Sequence, residues 1–415
     1  MHQRRVKQAV LPSPLVKPLL SAARDARRSA VLRQAMIEFR RAGVAGARLP
    51  AIARGVGLSR ASLYNYCTGR EDLARQCYLD ALQRMRGQLD ESRGEHAGLA
   101  RILAFVRTAI GDDHAVAAIT GELDLLPPGQ REEIERVQGE MFDALASVVS
   151  AGIADGSIRR CDPAIAARVI WGLVSWAPIG GLWTGRDEER LAKSLAIELP
   201  NLVEYGVAIA PHDGRIPLIA EELPERAGDR IEDITCAASA LFNRRGIDGV
   251  SLDDVAEAMS KTKGLVYHHF ESKGALVAAC FERGFDIYDR IMARARAQST
   301  GVEQSKWAVA LNVQAQLESL HPVSLSIAYH RLPAPEQAAY TRRASALLDQ
   351  SIAIGRQGRA DGTQRSFDPE SVGLVSAGAF LFLARWLPLD RKVDPVRVSA
   401  EVSELFLYGL GTARA

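Results

Sequence analysis

Two short stretches of the chain concentrate hydroxyls, cations and amides at helical spacing: Ser59-Arg-Ala-Ser-Leu-Tyr-Asn-Tyr66 and Thr262-Lys-Gly-Leu-Val-Tyr-His-His269. These residue types suit recognition of a polyanion better than bond-making. Cations and phenols pair with phosphate oxygens, and hydroxyls and amides read base edges. The candidate contacts are Arg48, Ser59, Arg60, Ala61, Ser62, Tyr64, Asn65, Tyr66 and Arg70 in the first stretch and its flanks. In the second they are Ser251, Thr262, Lys263, Gly264, Leu265, Tyr267, His268, His269 and Lys273. Small residues early in each stretch, Ala61 and Gly264, let a helix N-terminus approach a groove. Arg70 and Lys273 open the following helix, where a cation beside free N–H groups makes a phosphate anchor. His268 and His269 are adjacent, so on a helix they face different directions and do not form a metal pair.

The flanking pattern supplies the scaffold. In the second copy, Ile234, Ala238, Leu241 and Phe242 recur at helical spacing over 230–245, and Gly246 ends that helix. Ser251 caps a short helix with Asp253 and Asp254 in its first turn. A tight turn follows near 259–261, and Thr262 caps the next helix. Two short helices joined by such a turn predict a helix-turn-helix, with recognition helices at about 60–66 and 263–269.

The two stretches belong to a repeat that spans the chain. Phe39 falls on Phe242, Gly43 on Gly246, Tyr64 on Tyr267 and Leu73 on Leu276, all 203 residues apart. Further on, Ala154-Asp-Gly156 matches Ala360-Asp-Gly362 and Asp162-Pro163 matches Asp368-Pro369, 206 apart. Trp183 with Trp386 and Tyr205-Gly206 with Tyr408-Gly409 return to 203. The pattern predicts an all-α protein of two tandem halves. Its parts are a flexible basic arm over 1–26, a first DNA-binding head over 27–73 and a first helical regulatory domain over 74–209. A proline-rich linker over 210–228 leads to a second head over 229–276 and a second regulatory domain over 277–415. Two apolar stretches, 168–183 and 372–389, fall short of a membrane span and contain an arginine and a proline; they read as buried helices, so no membrane association is expected. Helices over 164–183 and 369–386 are expected to pack the halves together, with the tryptophans on them as packing residues. His114 and His321 read as structural.

Composition narrows the function. A net charge of +2 on 415 residues gives no global basic field, so any nucleic-acid footprint is local. It is concentrated in the first head, where nine basic residues face three acidic ones over 27–73; over 229–276 six basic residues face eight acidic. Five scattered cysteines without C-x-x-C spacing imply a reducing, cytoplasmic setting and no zinc site. No phosphate loop, nucleophile elbow or H-E-x-x-H occurs, so neither enzyme activity nor a cofactor is expected.

The segments Arg60-Ala-Ser-Leu-Tyr-Asn-Tyr…Gly-Arg-Glu-Asp-Leu73 and Lys263-Gly-Leu-Val-Tyr-His-His-Phe-Glu-Ser-Lys-Gly-Ala-Leu276 resemble the signature of TetR/AcrR-family transcription regulators. Beyond these heads the likeness is only of length and helical character. The resemblance implies a ligand-responsive repressor acting on a double-stranded operator, with a small apolar or amphipathic effector held among the later helices. Two subunits would be fused as an intrachain pseudo-dimer, with pairing into a homodimer also open. The alternative is a ligand-binding or protein-interaction module in which one or both heads no longer bind DNA. Departures from the pattern differ between copies. Arg48 stands where Ser251 caps, Cys67 where Phe270 packs, Ser260 where Gly57 turns and Leu265 where Ser62 faces outward.

Overall fold

The computed structural model describes residues 16–111, 122–224, 229–318, 320–323, 332, 334–381, 383 and 393–412. Among them every extended element is helical, and the only β pairing consists of two isolated bridges. Two compact units divide the chain, Met1–Cys77 and Tyr78–Ala415. His114 and Trp386 lie outside the described residues, as does the side chain of Trp183.

The first unit contains α1 (Val16–Gly46), α2 (Leu49–Gly55), α3 (Arg60–Leu63) and the start of α4 (Arg70–Glu91). Residues 16–26, expected to belong to a flexible arm, are helical; the rest of that arm lies outside the described residues. Gly43 breaks α1 with a φ of 68° and a ψ of 169°, a conformation essentially confined to glycine. Val31, Ala35, Met36 and Phe39 on α1 are buried, as are Ile52, Leu63 and Leu73, and they supply the small core of the head.

In the second unit the first body comprises α5 (Gly98–Ile110), α6 (Pro128–Asp155), α7 (Pro163–Trp176), α8 (Gly180–Thr184) and α9 (Glu188–Tyr205). After α10 (Ile219–Glu222) come the second head, α11 (Arg230–Arg245), α12 (Leu252–Ala258) and α13 (Lys263–His269), and then α14 (Lys273–Arg296). The second body continues with α15 (Gly301–Leu317), α16 (Ala334–Ala360), α17 (Pro369–Ser376) and α18 (Pro395–Tyr408). Asp162 and Asp368 cap α7 and α17 as their Asp-Pro sequences predict. The expected long helices over 164–183 and 369–386 are interrupted. Pro178 follows the end of α7, and α17 tightens into a 3₁₀ turn at Ala377–Ala379, because Gly378 must approach another backbone closely. A Cβ on Gly378 would lie 2.4 Å from the Gly172 carbonyl oxygen. Trp176 packs across the same contact, and its indole N–H donates to the Leu374 carbonyl at 2.9 Å.

Contacts in the second unit recur in pairs whose residue numbers differ by the offsets of the repeat. Gly98 N–H donates to Asp155 at 2.8 Å, and Gly301 N–H to Asp361 at 2.7 Å. Ile158 bridges to Gly411, and Gln364 to Ala208. The Arg159 Nε donates to the Gly409 carbonyl at 2.6 Å, and Arg365 Nε to the Gly206 carbonyl at 2.5 Å. Asp162 N–H donates to Glu401, and Asp368 N–H to Glu198. The region around 210–224 is docked. Gln314 of α15 accepts from the Ile219 N–H and donates to the Pro217 carbonyl, and the fully buried Lys306 pairs with Asp213 and Glu303.

Candidate nucleic-acid interface

Each head presents the predicted turn between its two short helices, built in different ways. In the first, Gly57 takes a φ of 66°; in the second, Ser260 takes 53°, so the serine carries a left-handed backbone that the glycine accepts freely. The second head is the better capped. Ser251 and Asp254 form a reciprocal capping box, with the Asp254 N–H donating to Ser251 Oγ at 3.1 Å and the Ser251 N–H to Asp254 at 2.7 Å. The Ser251 hydroxyl and N–H hold the Asp254 carboxyl below its usual range. In the first head Arg48 provides no cap. Its N–H donates instead to the buried Glu38 of α1, which Arg41 also binds. Leu241 stands at the matching place in the second head.

The recognition helices also differ. Over 263–269 the helix is complete, whereas α3 ends at Leu63 and Tyr64–Tyr66 continue as turns. Ser59 caps α3 through the Ser62 N–H at 3.0 Å, but Thr262, at the same position of α13, makes no capping bond through its side chain. That corrects the sequence expectation for Thr262. Tyr64 and Tyr267 are among the exposed large hydrophobic residues of the described chain, at 46% and 52%; core aromatics would be buried. Arg48, Ser59, Arg60, Ala61 and Asn65 are exposed, with Ser62 and Tyr66 half-buried. In the second head Ser251, Thr262, Lys263, Gly264 and His268 are exposed, and Leu265 and His269 half-buried. A Cβ on Gly264 would meet nothing within 4 Å, so this face of α13 is open for close approach.

Two predicted cations are already engaged. A guanidinium nitrogen of Arg70 donates to the Ala45 carbonyl and another to Glu71, and Lys273 Nζ donates to the Asp248 carbonyl at 3.3 Å. These side chains brace the turn after the first helix of each head as well as standing at the start of α4 and α14. Lys263 is also paired, with its Nζ 2.5 Å from Asp253, and that carboxylate raises the lysine's proton affinity. The sequence presents Asp253 only as a helix-start charge. The available signal is the acid in the first turn of α12; in the first head Pro50 takes that position, and among the described residues Arg60 makes no ion pair.

Two segments match family models. Residues 234–280 match the model of bacterial regulatory proteins of the tetR family, and 99–179 match the tetracyclin repressor-like C-terminal domain. The second match lies in the first body, where the residues alone suggest no more than similar length and helicity. The Transposon Tn10 TetC protein of Escherichia coli is 33% identical over 58 residues, 14% of this chain and 29% of the relative. The biofilm operon icaADBC HTH-type negative transcriptional regulator IcaR of Staphylococcus aureus (strain Newman) is 34% identical over 55 residues, 13% and 30% of the two chains. The chain thus spans less than a third of the length of these relatives. Among solved structures, a TetR family transcriptional regulator PfmR from Thermus thermophilus aligns with a TM-score of 0.37 at 20% identity, over 42% of this chain and 96% of that one. The ketosteroid transcriptional regulator KstR2 of Mycobacterium tuberculosis aligns at 0.39 and 18%, over 45% and 98%. The two family-model matches, one in each part of the chain, are both to segments of tetR-type regulators.

Proposed function

We propose that the chain is a tandem duplication of a TetR-type subunit that acts as a ligand-responsive DNA-binding repressor, its two unlike heads reading two half-sites as an intrachain pseudo-dimer. The observation that carries this reading is the recurrence of the same contacts at the repeat offsets. Arg159 with Gly409 and Arg365 with Gly206 is the kind of reciprocal pair that a twofold interface makes between identical subunits. The proposed boundaries remain 27–73 and 229–276 for the heads, with the bodies over 74–209 and 277–415. Among the proposed contacts, Arg60, Tyr64 and Tyr267 are the strongest. Arg70 and Lys273 serve first to hold the recognition helices in place. The apolar, small-molecule nature of the effector follows from the family resemblance and the apolar interior of the bodies.

The heads are not interchangeable. Nine basic against three acidic residues in the first gives it the stronger pull on phosphate. A homodimer's identical heads require a palindrome, and this chain is free of that requirement, so its operator is expected to have two unlike half-sites. Selection of bound duplexes from a random-sequence pool, followed by footprinting, tests this. Two dissimilar half-sites, each protected, are expected. A palindrome contacted equally on both sides refutes the unlike heads, and protection of one half-site favours a second reading. In that reading the second head, with its paired Lys263 and excess of acids, no longer binds DNA.

A further inference from the structure

The first helix of the chain is longer than its counterpart in the second copy. There α11 starts at Arg230, with Asp229 as its cap, and Arg27 stands at the place of Arg230; α1 runs back from Arg27 to Val16. The residues explain the difference. Pro224 and Gly228 break the helix in the second copy and Asp229 starts a new one, whereas Ser21, Asp25 and Ala26 at those places let α1 continue. Charge changes with length. Over 16–28 four basic residues face one acidic, and over the matching 219–231 two face four. The second copy's stretch is docked, with the Ile219 N–H donating to Gln314 at 2.9 Å and Arg294 Nε to the Glu222 carbonyl at 3.1 Å.

Two hydrogen bonds place this extension beside the recognition segment of the first head. Arg28 Nη2 donates to Gln76 Oε1 at 3.2 Å, and Gln76 Nε2 donates to the Tyr66 carbonyl at 2.9 Å. Arg24 and Arg27 lie in the turn just before this link, and both are exposed. They precede Val31 by seven and four residues, so they share the face on which Val31 is fully buried in the head. That face passes from core to cations as the helix leaves the head. The cations are therefore carried on the side where the rest of the head lies, next to the exposed Tyr64 and Asn65, and not on its far side.

We propose that the N-terminal turns of α1 are a second phosphate-binding element of the first head, in which Arg24 and Arg27 contact the duplex backbone beside the bases faced by 59–66, and that the second head has no counterpart. This rests on the DNA-binding reading above and names a further surface that takes part in it. Guanidinium groups pair with phosphate whatever the base sequence, so the element adds affinity and salt dependence to one half-site without adding base selectivity. The asymmetry of the heads then lies in how firmly each is held as well as in which bases it reads.

Fluorescence anisotropy of the full chain on a labelled duplex, titrated across salt concentrations, tests this. Arg24→Ala combined with Arg27→Ala keeps good helix formers at exposed positions. It is expected to lower the slope of log affinity against log salt by about 1.8, twice the value of one phosphate contact. Arg24→Lys combined with Arg27→Lys, which keeps both charges, is expected to retain the slope. Arg230→Ala, at the place of Arg27 in the second head, is expected to leave it unchanged. An unchanged slope in the double alanine variant, with Arg60→Ala still lowering it, would overturn the proposal and leave the DNA-binding reading standing. An equal loss in Arg230→Ala would overturn the asymmetry, and failure of the unmodified chain to bind any duplex would overturn the DNA-binding reading together with the proposal. Retention on phosphatidylserine vesicles that the double alanine variant loses, with its slope on DNA unchanged, would assign the cations to a membrane surface and overturn the proposal.

Discussion

Arg60 and Lys263 occupy the same position in their heads, but among the described residues only Lys263 is tied to a carboxylate, Asp253 at 2.5 Å. Replacing each by alanine therefore removes different amounts of favourable charge. Each phosphate neutralised on duplex DNA contributes about 0.9 to the slope of log affinity against log salt. Between about 50 and 200 mM salt one such contact accounts for about a 3.5-fold change in affinity. Arg60→Ala is expected to lower the slope by nearly that full amount. Lys263→Ala should lower it by less, since phosphate must first displace Asp253. Asp253→Asn, which frees the lysine, is expected to raise affinity by up to about fivefold and to steepen the slope. Fluorescence anisotropy on a labelled duplex of arbitrary sequence, titrated at several salt concentrations, reads this electrostatic term without knowledge of the operator. Equal slope changes for Arg60→Ala and Lys263→Ala, or weaker binding by Asp253→Asn, would refute the reasoning.

Other consequences follow from the capping, packing and protonation of the scaffold. Ser251→Ala breaks the capping box and should cost about 1 kcal/mol by chemical denaturation, whereas Thr262→Ala, with no capping bond to lose, should be nearly silent. Gly378→Ala drives a methyl group toward the Gly172 carbonyl, and a loss of about 1–3 kcal/mol is expected in thermal or urea unfolding. The Asp155 carboxyl is held below its usual range by the Ser157 hydroxyl and by the N–H groups of Gly98 and Ser157. Its contribution is therefore fully present above the unfolded carboxylate value, about pH 4, and is lost as pH falls through the lower folded value. Asp155→Asn should lower stability near neutral pH, and the difference from the unmodified chain should close as pH falls through the folded value, which flattens the acid limb.

How much of this is legible in the sequence can be judged from particular residues. The capping serine at 251, the aspartates before Pro163 and Pro369, and the glycines at 43 and 246 announce the helix ends because capping and left-handed backbone are local chemistry. Tyr64 and Tyr267 fall on the exposed face because helical period fixes direction once the buried positions are known. The bend after Trp176 is not legible. Nothing local says that Gly172 and Gly378 meet, and an apolar run reads the same whether the helix continues or stops.

The sequence alone determined that this is an all-helical chain and led to the expectation of a helix-turn-helix in each half, since periodicity, caps and the 203-residue spacing are properties of residues and their neighbours. Only the tertiary structure decided which side chains are free to act. Whether Lys263 meets Asp253 and whether Arg70 is held by a carbonyl depend on residues separated along the chain and brought together by packing. Pairing is a matter of distance, and distance between remote residues is set by the fold.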